Sequence, residues 1–307
     1  MPPMASQSNN MNKEKLKGVW TALITPFQPD GSIDWKAYDK LLEKQLEAGI
    51  IGLVISGTTG ESPTLNDDEC CKLVKVAKKK VGDKCLIMAG TGTNNTAKSI
   101  YKTKLARKAG ADMIILVNPY YNKPTQKGLY LHFKAVAEST DLPIILYNIK
   151  GRTGVNLETP TLLKLANEVT NIVGVKEASG DLGQIKSVCE QRPDNFAVLS
   201  GDDNVTFQII KDYEADGVIS VASNIVPKEM IEMVNLTLNK QTEKGEELNK
   251  KLDPLFRTLF IETNPIPVKY AAYMMGLCQN IYRLPMCTIE EEHGKQVQNL
   301  LKEMKII

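Results

Sequence analysis

Histidine is scarce in this chain of 307 residues: only His132 and His293 occur, and they lie far apart. A zinc site or a histidine-based triad therefore has little to stand on. The six cysteines, Cys70, Cys71, Cys85, Cys189, Cys278 and Cys287, contain no Cys-x-x-Cys pair. The adjacent Cys70 and Cys71 are poorly placed for a disulfide, so reduced thiols are expected. No apolar run approaches the ~18 residues that span a bilayer. No charge of one sign prevails either, since 38 Lys and Arg face 36 Asp and Glu, which argues against a nucleic-acid groove. Neither a G-x-G-x-x-G fingerprint nor a G-x-x-x-x-G-K-[ST] loop occurs, and a nucleotide-binding sheet loses its best support. What remains is an ordinary globular composition, 42% hydrophobic and 24% charged, which excludes a disordered or collagen-like chain. Chemistry must rest on Lys, Tyr, Thr, Arg or a carboxylate.

The first ten residues are polar and lack both the apolar core of a secretory leader and an Arg-rich amphipathic pattern. Residues 1–15 are expected to be a disordered arm or an appended remnant, with Met11 a candidate natural start, and the location is expected to be cytoplasmic. From Gly18 onward two textures alternate. Short, continuous apolar runs fall at 19–24, 50–55, 85–89, 113–117, 143–147, 172–175, 196–199 and 217–221. Such runs suit parallel strands buried on both faces. Between them lie segments of helical spacing, with Asp34 a plausible N-cap, Asn66 and Glu69 resembling a helix start, and Gly49, Gly82 and Gly110 placed as left-handed C-caps. Eight strand–helix repeats predict an α/β fold, a (β/α)8 TIM barrel over residues 16–224, with a doubly wound sheet as the rival. Residues 225–307 read as a C-terminal helical region packed on the barrel. The breaks at Asn264-Pro265-Ile266-Pro267 and Leu284-Pro285 divide it into about three helices.

Barrels place working residues at the C-terminal ends of strands and in the loops that follow. After the second run comes Ser56-Gly57-Thr58-Thr59-Gly60-Glu61, either a plain Gly-rich loop or a nest of N–H groups for a carboxylate or phosphate. After the fourth comes Asn118-Pro119-Tyr120-Tyr121-Asn122-Lys123-Pro124, whose tyrosines serve a site or a subunit contact. Tyr147 closes the fifth run, and Arg152 follows where it could clamp a carboxylate. The sharpest oddity is Lys176, at the end of the apolar sixth run. An unpartnered buried ammonium costs several kcal/mol. Taken alone, such a lysine more often points outward to a helix carboxylate. Beside a nest, a strand-end tyrosine and an arginine, it suits a Schiff-base nucleophile, because only the neutral amine attacks a carbonyl. The implied chemistry joins Lys176 to a small 2-oxo acid whose carboxylate sits at Thr58 and Thr59. The iminium then loses a proton to give an enamine that attacks an aldehyde, while Tyr147 relays protons through Thr58. The scheme needs no metal or organic cofactor.

These residues closely resemble the pyruvate-dependent class I aldolase family that contains dihydrodipicolinate synthase and N-acetylneuraminate lyase. The resemblance runs from Gly18 to the C-terminus. It includes Gly57 to Glu61, Pro119 to Pro124, Tyr147-Asn148, Val175-Lys176-Glu177-Ala178, Ser200-Gly201-Asp202-Asp203, Gly217-Val218-Ile219-Ser220 and Asn264-Pro265-Ile266-Pro267-Val268-Lys269. Arg152-Thr153-Gly154 and the tyrosine pair look like the dihydrodipicolinate synthase branch, since sialic acid lyases generally lack that arginine. The resemblance implies a cytoplasmic lyase that condenses pyruvate with L-aspartate 4-semialdehyde in diaminopimelate and lysine biosynthesis. It further implies a homotetramer of tight dimers, with no nucleic-acid or membrane partner. By carry-over Lys176 forms the Schiff base, and Tyr147, Thr58 and Tyr121 form the relay, with Tyr121 given to the neighbouring subunit. Thr59 would hold pyruvate and Arg152 the semialdehyde carboxylate, while Gly201 and Ile219 line the lysine pocket. A sugar-acid aldolase of the same superfamily is the rival enzyme, and a silent ligand-binding barrel the rival from another class.

Two departures from the family pattern stand out. Many members have proline where this chain has Lys150, which leaves the Arg152 loop without that stiffening. Members inhibited by lysine tend to carry an acidic residue where Lys98 stands and histidines where Asp67 and Cys70 stand. Weak or absent feedback by L-lysine is expected.

Overall fold

A computed structural model describes residues 13–307, so most of the expected N-terminal arm lies outside the described residues. The first described residues, Lys13–Leu16, form a short turn whose Leu16 is buried. Eight strands follow: β1 (Gly18–Ala22), β2 (Gly52–Ile55), β3 (Leu86–Gly90), β4 (Met113–Val117), β5 (Ile144–Asn148), β6 (Ile172–Glu177), β7 (Ala197–Ser200) and β8 (Gly217–Ser220). Each pairs in parallel with its sequence neighbours, and β1 also pairs with β8, which closes the barrel. Every strand overlaps one of the apolar runs of the sequence. The doubly wound alternative is excluded by the closure.

Eight helices connect the strands: α1 (Trp35–Ala48), α2 (Asp67–Val81), α3 (Thr96–Ala109), α4 (Gln126–Ala137), α5 (Lys150–Thr153), α6 (Thr159–Glu168), α7 (Leu182–Gln191) and α8 (Asp203–Tyr213). Asp34 caps α1 by accepting from the Ala37 N–H, and Asn66 and Glu69 form a reciprocal capping box on α2. Gly49 and Gly110 take the left-handed C-cap conformation, whereas Gly82 does so only in φ, its ψ of −128° lying outside that region. The expectation for Gly82 is corrected accordingly: its N–H still bonds to the Lys78 carbonyl, but the chain leaves α2 through a turn closed by Lys84 N–H on the Val81 carbonyl at 3.2 Å.

Two apolar layers result. Outside the strands, Leu41, Leu73, Phe133 and Leu162 from the helices pack on Leu53, Ile114 and Leu146. Inside, Trp20, Met88, Met113, Ile145, Leu199 and Ile219 fill the barrel. Trp20 plugs the lower end, donating its indole N–H to the Leu16 carbonyl at 3.0 Å. Its ring fits only because position 52 is glycine, where a Cβ would meet ring carbons at 2.1 Å. With the floor filled, the barrel interior opens at the upper end, where the loops after the strands converge.

Four helices, rather than about three, make up the C-terminal part: α9 (Pro227–Leu238), α10 (Thr242–Thr258), α11 (Ile266–Met274) and α12 (Glu291–Glu303). The unforeseen break between α9 and α10 contains neither proline nor glycine; Lys240 makes it by adopting φ 60°. Pro254 sits inside α10 without ending it. Among the described residues, no helix is long and apolar enough to cross a membrane.

Candidate active site

The loop after β2 is built by two turn bonds, from Glu61 N–H to the Thr58 carbonyl (3.0 Å) and from Ser62 N–H to the Gly57 carbonyl (3.2 Å). The N–H groups of Thr58 and Thr59 are not spent on either bond. Ser56 and Glu61, at the two ends of the motif, both adopt φ 55°, a costly conformation for these residues that the surroundings must enforce. Part of that enforcement is visible. The Thr25 hydroxyl donates to the Gly60 carbonyl at 2.8 Å, and the Asn264 amide donates to Thr59 Oγ1 at 2.9 Å.

Lys176 and Tyr147 are register partners across β5 and β6, and both side chains enter the barrel mouth. Lys176 is 7% exposed, and its Nζ lies 4.3 Å from the centre of the Tyr147 ring. Glycine at 201 allows this packing, since a Cβ there would stand 3.1 Å from Lys176 Cε and 2.5 Å from the Ala178 methyl. Thr58, Thr59, Tyr147 and Lys176 together line an inner cavity of about 60 Å³. Among the described residues no carboxylate pairs with Lys176, and the charged groups lining the cavity are Lys176 and Lys102. An amine held over an aromatic face, beside free N–H donors and threonine hydroxyls, is equipped to meet a carbonyl whose neighbouring carboxylate is bound.

The inner cavity opens to an outer cleft of about 570 Å³, lined by Arg152, Thr153, Tyr120, Lys98 and Asp67 among others. Arg152 thus stands in the outer cleft rather than beside Lys176. It is carried on α5, a single helical turn closed by bonds from Arg152 and Thr153 N–H to the Ile149 carbonyl, so the loop is ordered with Lys150 in place of proline. One guanidinium nitrogen donates to the Asn264 carbonyl at 3.1 Å. Ile219 is buried in the barrel-interior cluster with Tyr147. Tyr121 is not brought to this cavity: at φ 75° and 88% exposure it points away from its own chain's site.

Behind Lys176, the buried Glu177 accepts hydrogen bonds from Ser179 N–H (2.8 Å), Asn148 (3.2 Å) and Gln184 (3.3 Å). Burial nevertheless pushes its carboxyl above the usual range. His132 bonds to the Thr96 hydroxyl at 2.9 Å, and burial lowers its pKa to about 4, so it remains neutral at ordinary pH. Among the described residues, no group of three or more His, Cys, Asp or Glu is placed to hold a metal ion.

Sequence reasoning gave no role to Asn264, Lys269 or Arg283, which come from the C-terminal part. Lys269, fully buried, pairs with Glu61, donates to the Ile281 carbonyl at 2.8 Å and lies over the rings of Phe27 and Tyr282. Burial lowers its pKa and the Glu61 charge opposes that shift. The Arg283 N–H donates to the other Glu61 oxygen, and its guanidinium binds Glu69 and the Thr64 carbonyl. The available signal was a lysine within the apolar stretch Ile266 to Ala272. Asn264 also bridges the two binding elements, its side chain on Thr59 and its carbonyl on Arg152.

Residues 15–304 match the dihydrodipicolinate synthetase family. A 4-hydroxy-tetrahydrodipicolinate synthase from Endomicrobium trichonymphae is 45% identical over 290 residues, covering 94% of this chain and 99% of that protein. The crystal structure of dihydrodipicolinate synthase from Thermotoga maritima superposes with a TM-score of 0.93 at 44% identity, over 95% of this chain and 99% of that one. An enzyme from Cyanidioschyzon merolae, solved with lysine bound, gives a TM-score of 0.93 at 36% identity, over 96% of this chain and all of that one. With near-complete coverage on both sides, the chain belongs to the dihydrodipicolinate synthetase family.

Proposed function

We infer that the chain condenses pyruvate with L-aspartate 4-semialdehyde to 4-hydroxy-tetrahydrodipicolinate, as a Schiff-base lyase of diaminopimelate and lysine biosynthesis. The observation that carries the mechanism is Lys176, an amine without a carboxylate partner, stacked on Tyr147 beside Thr58 and Thr59. Lys176 Nζ attacks the pyruvate carbonyl, water leaves, and the iminium gives up a methyl proton to become an enamine. The enamine carbon adds to the aldehyde. The acceptor's own amine then displaces Lys176, closing the ring and freeing the enzyme. Thr59 holds the pyruvate carboxylate, Gly201 and Ile219 shape the lysine pocket, and Tyr147 and Thr58 carry protons. No organic cofactor or metal enters the scheme.

Tyr121 completes the relay in a neighbouring subunit, which its exposure in its own chain favours. A site completed in this way needs at least a tight dimer, and the family resemblance favours pairing of such dimers into a homotetramer. A sugar-acid aldolase is separated from this reading by assaying the semialdehyde against sialic acid and 2-keto-3-deoxygluconate; turnover of either sugar acid alone contradicts it.

Arg152 binds the semialdehyde carboxylate. Arg152→Ala is expected to lower kcat/KM for the semialdehyde roughly 10- to 100-fold, the worth of charge-assisted hydrogen bonds, while Schiff-base formation with pyruvate is spared. Equal losses for the two substrates count against that role. Tyr147→Phe keeps the ring beneath Lys176 but removes the hydroxyl, and kcat is expected to fall about 10²- to 10⁴-fold. A variant with near wild-type kcat takes Tyr147 out of the relay. The ammonium of Lys98, in the outer cleft, repels that of a lysine ligand, so feedback by L-lysine is weak or absent; half-inhibition at submillimolar lysine contradicts this.

A further inference from the structure

A second lysine reaches the inner cavity. Position 102 falls on the buried stripe of α3, three residues after Ser99 and four before Ala106, so the fold turns an ammonium inward. The side chain is 13% exposed. It lines the inner cavity and the outer cleft alike, which places it at the neck between them. Its nearest carboxylate oxygen, on Asp67, is 3.9 Å away, at the outer limit of an ion pair. Among the described residues, the outer cleft presents Lys98, Lys102 and Arg152 against Asp67 alone, and the inner cavity presents no carboxylate. A concave, low-dielectric wall of one sign concentrates counter-charged solutes.

We propose that Lys102 is a specificity-determining residue for the anionic 2-oxo acid. Its ammonium draws the substrate carboxylate from the outer cleft through the neck and passes it to Thr58 and Thr59, where Lys176 meets the carbonyl. The inference rests on the Schiff-base reading above. Asp67 is the competing anion, so Lys102 and Asp67 act on substrate capture with opposite signs. A purely structural lock between α2 and α3 requires the reverse: losing either partner harms the enzyme alike.

The test compares the wild-type enzyme with Lys102→Met, Lys102→Arg and Asp67→Asn, measuring initial rates against pyruvate over a series of ionic strengths. Lys102→Met lowers kcat/KM for pyruvate roughly tenfold at low salt. It leaves kcat nearly unchanged and flattens the salt dependence, Lys102→Arg restores both, and Asp67→Asn raises kcat/KM. The proposal is overturned if Lys102→Met and Asp67→Asn fall together, if Lys102→Met keeps the full salt dependence of the wild type, or if kcat falls with KM unchanged. Borohydride trapping of pyruvate on the wild-type enzyme separates the two levels. An adduct with no Lys102 effect removes this inference alone, and absence of an adduct removes the Schiff-base reading and the inference with it.

Discussion

Lys176→Met is expected to abolish turnover, with kcat reduced at least about 10⁴-fold, because Lys102, the other amine lining the cavity, stands at its neck and not against Tyr147. The same substitution is expected to leave stability equal to wild type or higher. Lys176 is 7% exposed, and among the described residues no carboxylate offsets the cost of burying its charge. Methionine has similar length and no charge to desolvate, and it can pack on the Tyr147 ring. Steady-state rates and thermal unfolding at fixed protein concentration check both halves. A variant that is inactive because it unfolds, or one that retains measurable turnover, contradicts this account of Lys176.

The other buried lysine behaves in the opposite way. Lys269→Met removes the partner of Glu61 and leaves a carboxylate that is 2% exposed with the Arg283 N–H at 3.3 Å. Breaking a buried pair in this manner costs about 3–5 kcal/mol. Because Glu61 ends the Thr58–Thr59 loop at φ 55°, the loss is expected to appear also as a higher KM for pyruvate. Adding Glu61→Gln removes the stranded charge and is expected to recover part of the stability. Chemical denaturation of the single and double variants decides the matter. A single variant as stable as wild type, or a double variant no better than the single, contradicts a paired structural role.

These two lysines show where the sequence was legible. Lys176 stands out because a strand buried on both faces has no place for an ammonium without a task. The eight strands were readable for the same reason, as continuous apolar runs, and the caps at Asp34 and Asn66 rest on contacts only three residues long. Lys269 carries only the mark of a lysine in the apolar stretch Ile266 to Ala272, and its role stays hidden until the chain closes, since its partner lies 208 residues away. Asn264 reaches Thr59 across 205 residues and is silent in one dimension. Lys102 was overlooked although its position on the buried stripe of α3 was available. The extra helix break at Lys240 carried no residue signal, because a non-glycine residue made the turn.

The most direct test of the account is reduction with borohydride in the presence of pyruvate, followed by peptide mass mapping. The account predicts one stable pyruvate-derived adduct per chain, located on Lys176 and absent from Lys176→Met. No adduct, or an adduct on Lys102 or Lys269 instead, would contradict the central claim that Lys176 is the Schiff-base nucleophile.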